Sequence, residues 1–430
     1  MEVDLPSKRG RVMAPENTVS RDFLSVLPKG IIHHIMSFLD VCQVVWMCVL
    51  SQRWRNLWRF VPCVNANFNE FNTSSSIVDN LTEDELVFRR FINWLLEHRD
   101  PDAAIYTFYL EYCIFEEENN EDNSEDANRW ISLALQKRCR ILKVSNEEYC
   151  NLQLDHSVLT SKYLTRVVFD NVSLDQGFFE QLEMGCPAMQ VLTLYGCVIG
   201  DIKISSKSLK ILNFNECQFE DKSYISIPSV TSLTMYQPEG FVPIINDVAS
   251  LVIASADLNK CDASDMRHLL WSLSGVKKLE FDYQGYKMKI ENNLQFWLKF
   301  DHLVDLTLGQ WCVDSDFYAL VIFLQSSPRL EKLTLKLEIL PPNYKIPYDE
   351  HIKVQKESGE HIIGELKERS FTCEHLNSVE IISMEQDEYL ANRVVGLFVD
   401  SGVTSVRFDI KFWWSQVTFW MPSFHQELHD

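Results

Sequence analysis

The sequence predicts an α/β chain, with a short helical unit at the N-terminus and then a repeat solenoid built on a parallel sheet. Three observations carry this. Between Leu27 and Trp58, apolar residues recur at three- and four-residue spacing, the period of a helix face. From Cys139 onward an apolar-x-apolar beat returns, mostly at intervals of about 18–28 residues, the span of one coil in a strand-based solenoid. And 46% hydrophobic residues in a 430-residue chain, with 26 Phe, 14 Tyr and 11 Trp, supply a large core for two or three domains.

Charge narrows the function. The chain carries 40 basic and 61 acidic residues, a formal net charge of −21. That argues against nucleic acid or an anionic membrane as partner, since both need clustered positive charge. No stretch approaches the ~20 apolar residues of a spanning helix, and Met1 to Asn17 contain no apolar signal segment. The 12 cysteines are scattered without a Cys-x-x-Cys pair, which is expected of reduced structural thiols rather than a zinc site. In a reducing compartment the sequons at Asn72, Asn80 and Asn171 carry no consequence.

Residues 1–20, with Pro6, Pro15 and the Lys8-Arg9-Gly10-Arg11 cluster, read as a solvated tail. From Arg21 the texture changes. Leu27-Pro28 opens a helix whose face carries Ile31, Ile32, Ile35, Met36 and Leu39, with Pro28 suited to the first turn. After Asp40 a second apolar segment holds Val44, Val45, Cys48 and Val49. Ser51 is then placed to cap a third turn containing Trp54, Leu57 and Trp58. So much apolar surface exceeds what about 40 residues hide alone, so a partner or the rest of the chain must cover it.

The run from Leu27 to Trp58 resembles the F-box of plant adaptor proteins: the Leu-Pro opening, the helix ending at Phe38-Leu39, and the close Val49-Leu50-Ser51…Arg53-Trp54…Leu57-Trp58. The resemblance implies a three-helix motif docking on a Skp-type linker protein of a cullin–RING ubiquitin ligase. Leu27, Pro28, Ile31, Ile32, Ile35, Leu39, Val49, Ser51, Trp54, Leu57 and Trp58 are the expected Skp-binding residues.

Beyond it, Leu86 to Leu96 has helical spacing and ends at Arg99-Asp100-Pro101; Ile105 to Cys113 reads as a strand, and Asn128 to Arg138 as a helix. The seven acids within 116–126 read as a self-repelling loop rather than a cation site. In the repeats, Met189 to Cys197 and Leu209 to Cys217 both fit L-x-x-L-x-L-x-x-C, the strand signature of leucine-rich repeats. Weaker copies are anchored at Leu142/Val144, Val167/Phe169, Leu233/Met235, Leu251/Ile253, Leu279/Phe281, Leu306/Leu308, Leu333/Leu335, Val379/Ile381 and Val406/Phe408. The stacked strands are expected to form a parallel sheet lining a concave face, with irregular helices on the convex one. Strand alternation sends Thr193, Tyr195, Asn213, Asn215, Thr234, Tyr236, Glu280, Asp282 and Thr307 to the concave face, along with Thr334, Glu380 and Arg407. Those residues are the expected substrate-binding surface. Phe371 to Ile381 and the later Gly402 are similar to the FBD motif that ends many plant F-box/LRR proteins.

The expected organisation is a tail (1–20), F-box (21–65), connector with degenerate first repeats (66–138), repeats (139–340), insertion (341–370) and FBD-like end (371–430). There is no G-x-S-x-G, P-loop, G-x-G-x-x-G or H-E-x-x-H motif. Adjacent His33-His34 lack the i,i+4 spacing of a helical metal pair. The expectation is an adaptor, not an enzyme, in nucleus or cytoplasm. It would need no cofactor or metal, and its partners would be a Skp-type protein, through it a cullin, and an unknown protein substrate. The competing reading is a scaffold that binds Skp without ubiquitin transfer.

Overall fold

In the computed structural model the described residues are 27–50, 54–71, 81–112, 124–146, 152–258, 261, 263–283, 299–313, 317–337, 371, 373–384, 388–403 and 406–413. The tail, Ser51, most of the acidic run and the 341–370 insertion lie outside them.

Helix α1 (Lys29–Met36) starts from an extended Pro28, which sits at the cap position and whose carbonyl accepts from the N–H groups of Ile31 and Ile32 at 3.0 and 3.2 Å. Helix α2 (Val41–Leu50) is capped by Asp40, whose Oδ1 accepts from the Gln43 N–H at 2.8 Å. Among the described residues, the third element of the unit is one 3₁₀ turn, Leu57–Phe60, whose cap position, Asn56, makes no side-chain bond.

The main sheet follows at once. Thirteen strands lie in the order β1-β2-β3-β5-β7-β10-β13-β16-β17-β18-β19-β20-β21, every neighbouring pair parallel. They are β1 (Cys63–Asn67), β2 (Thr107–Glu111), β3 (Ile141–Ser145), β5 (Arg166–Asp170), β7 (Val191–Tyr195), β10 (Ile211–Asn215) and β13 (Ser232–Tyr236). The remainder are β16 (Ile253–Leu258), β17 (Lys278–Tyr283), β18 (Asp305–Gly309), β19 (Lys332–Leu337), β20 (Ser378–Met384) and β21 (Arg407–Trp413). The sheet therefore begins inside the expected F-box boundary, with β1, a strand that the Leu-x-Leu pattern does not reveal.

What returns the chain between strands varies from coil to coil. Several coils carry a helix: α3 (Leu81–His98), α4 (Ser124–Gln136), α5 (Phe178–Gly185), α6 (Ala263–Ser272), α7 (Tyr318–Ser326) and α8 (Glu388–Asp400). Helix α4 starts four residues before the expected Asn128, with Glu125 and Asp126 in its first turn, where the helix dipole favours acids. From Leu192 to Leu212, and again to Leu233, the coil is only 20 and 21 residues. A helix plus two turns does not fit. The expected helices are absent from these coils, and short strands form two further parallel sheets. One is β4 (Leu152–Leu154), β6 (Val172–Leu174), β8 (Val198–Ile199), β11 (Gln218–Phe219) and β14 (Glu239–Gly240); the other is β9 (Lys203–Ser205), β12 (Tyr224–Ser226) and β15 (Ile244–Asp247).

The corner between main and second sheets recurs in register. Asn171, Gly196, Glu216 and Gln237 all have left-handed φ, between 45° and 55°, and each donates its N–H to a carbonyl at the last or next-to-last residue of the next strand. Only Gly196 adopts this without strain. In the following position Cys197 and Cys217 bury their thiols against main-sheet carbonyls, Tyr195 O for the first and Leu194 O and Asn215 O for the second. Burial pushes the Cys217 thiol up to about 12. The ten described cysteines are free thiols.

Two anchor pairs are corrected. Leu233 and Met235 pair with Ala254 and Ala256, not with Leu251/Ile253; Ala254 is 1% exposed and Ile253 42%. Val379 and Ile381 pair with Phe408 and Ile410, so Val406 precedes its strand. The described part of the FBD-like region is one more coil, β20–α8–β21. Phe371 packs edge-on against Phe398 at 5.4 Å, and Gly402 turns the chain out of α8 with φ 79°. One continuous core runs from Ile32 to Val406.

Candidate protein-docking faces

Among the expected Skp-binding residues, Ile32, Trp54, Leu57 and Trp58 are buried in the chain's own core. Their work is internal. Trp58 stacks on Trp94 of α3 at 5.0 Å. Arg99, itself buried, donates from Nη2 to the Val61 carbonyl and from Nη1 to that of Trp58. Desolvation lowers this guanidinium to about 10. Arg59 Nε donates to the His98 carbonyl at 2.7 Å. The helical unit is thus tied to the solenoid by side chains that sequence pattern assigns to a partner.

Leu27, Ile35 and Leu39 are half-buried, whereas Pro28 and Ile31 are exposed. In α2, Trp46 is 66% and Val49 81% exposed, three residues apart and so on one helical face. Phe38 is also exposed, its ring edge-on to that of His34 at 4.9 Å. Trp46 is absent from the expected set, yet it had a signal. The helix VCQVVWMCVL is apolar all round, and such a helix is either enclosed or shared with another chain. The structure encloses the Val41, Val44 and Cys48 side and leaves the Trp46/Val49 side open.

On the main sheet the register gathers the expected substrate-binding residues into two rows, on the face opposite the core and here called the open face. The first runs Thr193, Asn213, Thr234, Ser255, Glu280, Thr307, Thr334, Glu380 and Asp409. Asp409, not Arg407, completes it, because of the shifted anchors. Thr193, Thr307 and Thr334 are buried between their neighbours, and Asn213 Nδ2 donates to Thr193 Oγ1 at 3.2 Å. Much of this row therefore holds the face together rather than presenting it.

The second row, Tyr195, Asn215, Tyr236, Asp257 and Asp282, is more open at Tyr236. Asp257 was hidden from sequence reading by the Leu251/Ile253 anchors. The alternation Ala254-Ser-Ala256-Asp-Leu258 is its faint signal.

Electrostatics divide this face. Glu280 pairs with Lys336, and Glu380 with Lys332 and Lys411; the hydrogen bond from Lys411 is the main cause of the lowered Glu380 pKa. Among the described residues Asp257 and Asp282 form no such ion pair. Burial first, and then Asp257, raises Asp282 to about 6, against the pull of the Tyr283 N–H and Lys336. Burial also raises Asp257, although Gln237 donates to its Oδ2 at 3.1 Å.

Comparison with known proteins fits this geometry. The F-box domain family matches residues 24–64. An FBD-associated F-box protein of Arabidopsis thaliana is 26% identical over 378 residues, 76% of this chain and 79% of that one. An F-box/FBD/LRR-repeat protein of the same plant is 24% identical over 268 residues (55% and 57%), and F-box/LRR-repeat protein 13 is 24% identical over 370 (73% and 76%). With an F-box domain match at its start and a parallel-sheet repeat behind it, the chain is similar to the FBD-associated F-box and F-box/LRR-repeat proteins of Arabidopsis thaliana.

Proposed function

We propose that this chain is a substrate-recognition adaptor of an SCF-type ubiquitin ligase. The F-box docks on a Skp-type linker, and the open face of the repeat sheet captures a target protein. The observation that carries the first half is the bare side of α2. Trp46 and Val49 are highly exposed on a helix whose Val41, Val44 and Cys48 side is enclosed, and tryptophan is among the residues that dominate interface energy. Ile31 and Phe38 offer further exposed apolar surface on the same unit. The adaptor's contribution is proximity: it holds the target near a ubiquitin donor carried by other subunits.

The test uses Trp46→Glu with Val49→Glu. Both positions are solvent-facing, so circular dichroism and the melting transition should not change, while a Skp-type protein and cullin disappear from pull-downs. Retention of Skp by the double variant would refute the docking face. Recovery of Skp without cullin from the unaltered chain would refute ligase assembly and leave the scaffold reading.

A further inference from the structure

We propose that Asp257 and Asp282, with Tyr236 beside them, form a subsite for one basic side chain, an arginine or lysine, of the captured protein. This deepens the adaptor reading and rests on its placing capture at the open face.

Three features of the structure converge here. The first is position. Tyr236, Asp257 and Asp282 stand side by side on β13, β16 and β17 in strict register, while Met235, Ala256 and Phe281 alternate with them into the core. The second is an unpartnered buried acceptor. Asp257 is 9% exposed, and its Oδ1 is buried without any hydrogen-bond donor, while Oδ2 accepts from Gln237. A buried carboxylate oxygen without a donor is costly. Nearby acids are treated differently: Glu280 and Glu380 each have a lysine.

The third feature is the close approach of the Asp282 carboxylate to the backbone of Gly309 on the next strand. A Cβ on Gly309 would lie 2.0 Å from Asp282 Oδ1, so only glycine lets the Asp282 carboxylate stand where it does. Among the described residues Asp282 accepts a single bond, from the Tyr283 N–H at 2.8 Å, and keeps acceptor capacity spare.

The surrounding charge is predominantly negative. Glu216, Asp257, Glu280 and Asp282 all act on this spot, and Lys336 is the single cation among the groups acting on it. A cation would relieve this repulsion, and the exposed Tyr236 ring offers it an aromatic flank. Among the described residues no three side chains are placed to hold a metal ion together. A guanidinium needs less: two carboxylates that accept its N–H donors. The formal charge of −21 would steer a basic partner toward the chain as a whole, so the decisive contrast is local.

The probe is a fluorescent peptide of alternating arginine and serine, compared with a twin in which citrulline replaces arginine and removes only the charge. Anisotropy is measured on the full chain co-purified with a Skp-type protein, at physiological salt. The wild type should bind the arginine peptide at least tenfold more tightly than its twin. Asp257→Asn with Asp282→Asn should abolish that preference, and Tyr236→Leu should reduce it severalfold. Glu220→Gln with Glu239→Gln removes the same charge from exposed positions off the main sheet and should leave affinity within twofold. The subsite is refuted if the Asn pair keeps the preference, or if the Gln pair loses as much. Its failure is distinguishable from failure of the adaptor reading. Loss of Skp and cullin from pull-downs sinks the adaptor while the peptide preference can persist, and the reverse result sinks only the subsite.

Discussion

Replacing Asp282 by Asn should make the protein more stable at neutral pH, and the gain should fade in acid. Burial and the neighbouring Asp257 raise this carboxyl from 3.8 to about 6 in the folded chain. Between those values the unfolded chain has released the proton while the folded one still holds it, so stability falls as pH rises through that window. Above about pH 6 the whole penalty applies. At 1.36 kcal/mol for each tenfold difference it is on the order of 2–3 kcal/mol, an upper figure because Asp282 is half-buried and partly solvated. Asn has the same shape, accepts the Tyr283 N–H through its own oxygen and carries no charge. The expected gain is about 1–3 kcal/mol at pH 7.5, roughly half of that at pH 5, and nothing below about pH 4.

The assay is amide hydrogen exchange of β16 and β17 in the intact chain at pH 5 and 7.5. A repeat array can open locally, so a single melting temperature would blur the effect. Slower exchange in the variant at pH 7.5, with convergence toward pH 5, is the expected pattern. Unchanged or faster exchange at pH 7.5 would show that the Asp282 charge is already satisfied, and the argument for strain at this site would fall. Together with the binding test, this predicts an uncommon pairing: a substitution that strengthens the fold and weakens recognition.

Three further outcomes follow from the packing. Leu194→Ala, fully buried in one of the short coils, should cost about 2–5 kcal/mol through a core cavity, seen as a lower denaturation midpoint with Skp binding retained. Arg99→Met should strand the Trp58 and Val61 carbonyls and cost about 2–4 kcal/mol; exchange protection at 57–64 should drop while that of β7 to β13 stays. Residues 1–65 should aggregate even when co-expressed with a Skp-type protein, because Trp58 needs Trp94 and β1 needs β2. Extending the fragment to residue 146, which adds α3, β2, α4 and β3, should give a soluble complex, and solubility of the shorter piece would overturn the shared-core reading.

Much of this architecture was legible in the sequence because inward positions obey one rule. Leu192/Leu194 and Leu212/Phe214 alternate, sit a coil apart and pair in register as their spacing requires. Where the rule failed, the reason was physical. Ala254 and Ala256 fill anchor positions with small side chains, so the bulkier Leu251 and Ile253 captured the pattern although Ile253 faces out. Strand β1 lies where helical and strand periodicities meet, and Cys63-Val-Asn-Ala-Asn is too mixed to declare either. The 20- and 21-residue coils hold short strands where helices were expected, since they leave little room for a helix plus two turns; the 25-residue coil from Leu142 to Val167 also has a strand and no α-helix among the described residues.

Outward positions are legible to a lesser degree, and the two docking faces show why. A helix apolar on every side, such as α2, announces that something covers it but not which side the chain itself will cover. Only the tertiary contacts separate the enclosed Ile32, Trp54 and Trp58 from the bare Trp46 and Val49. On the sheet the difficulty is greater, because the neighbours that matter come from other coils. Asp257 and Asp282 are 25 residues apart in sequence and adjacent in register. Neither is unusual alone, and the chain holds 61 acids. What distinguishes the pair is the company it lacks: Glu280 has Lys336 and Glu380 has Lys411, while Asp257 has a buried oxygen with no donor. A local charge pattern cannot express that contrast. It arises when register sets strands side by side, and it is the reason the open face, read as a uniform polar surface from sequence, resolves into a braced part and a part left unpaired.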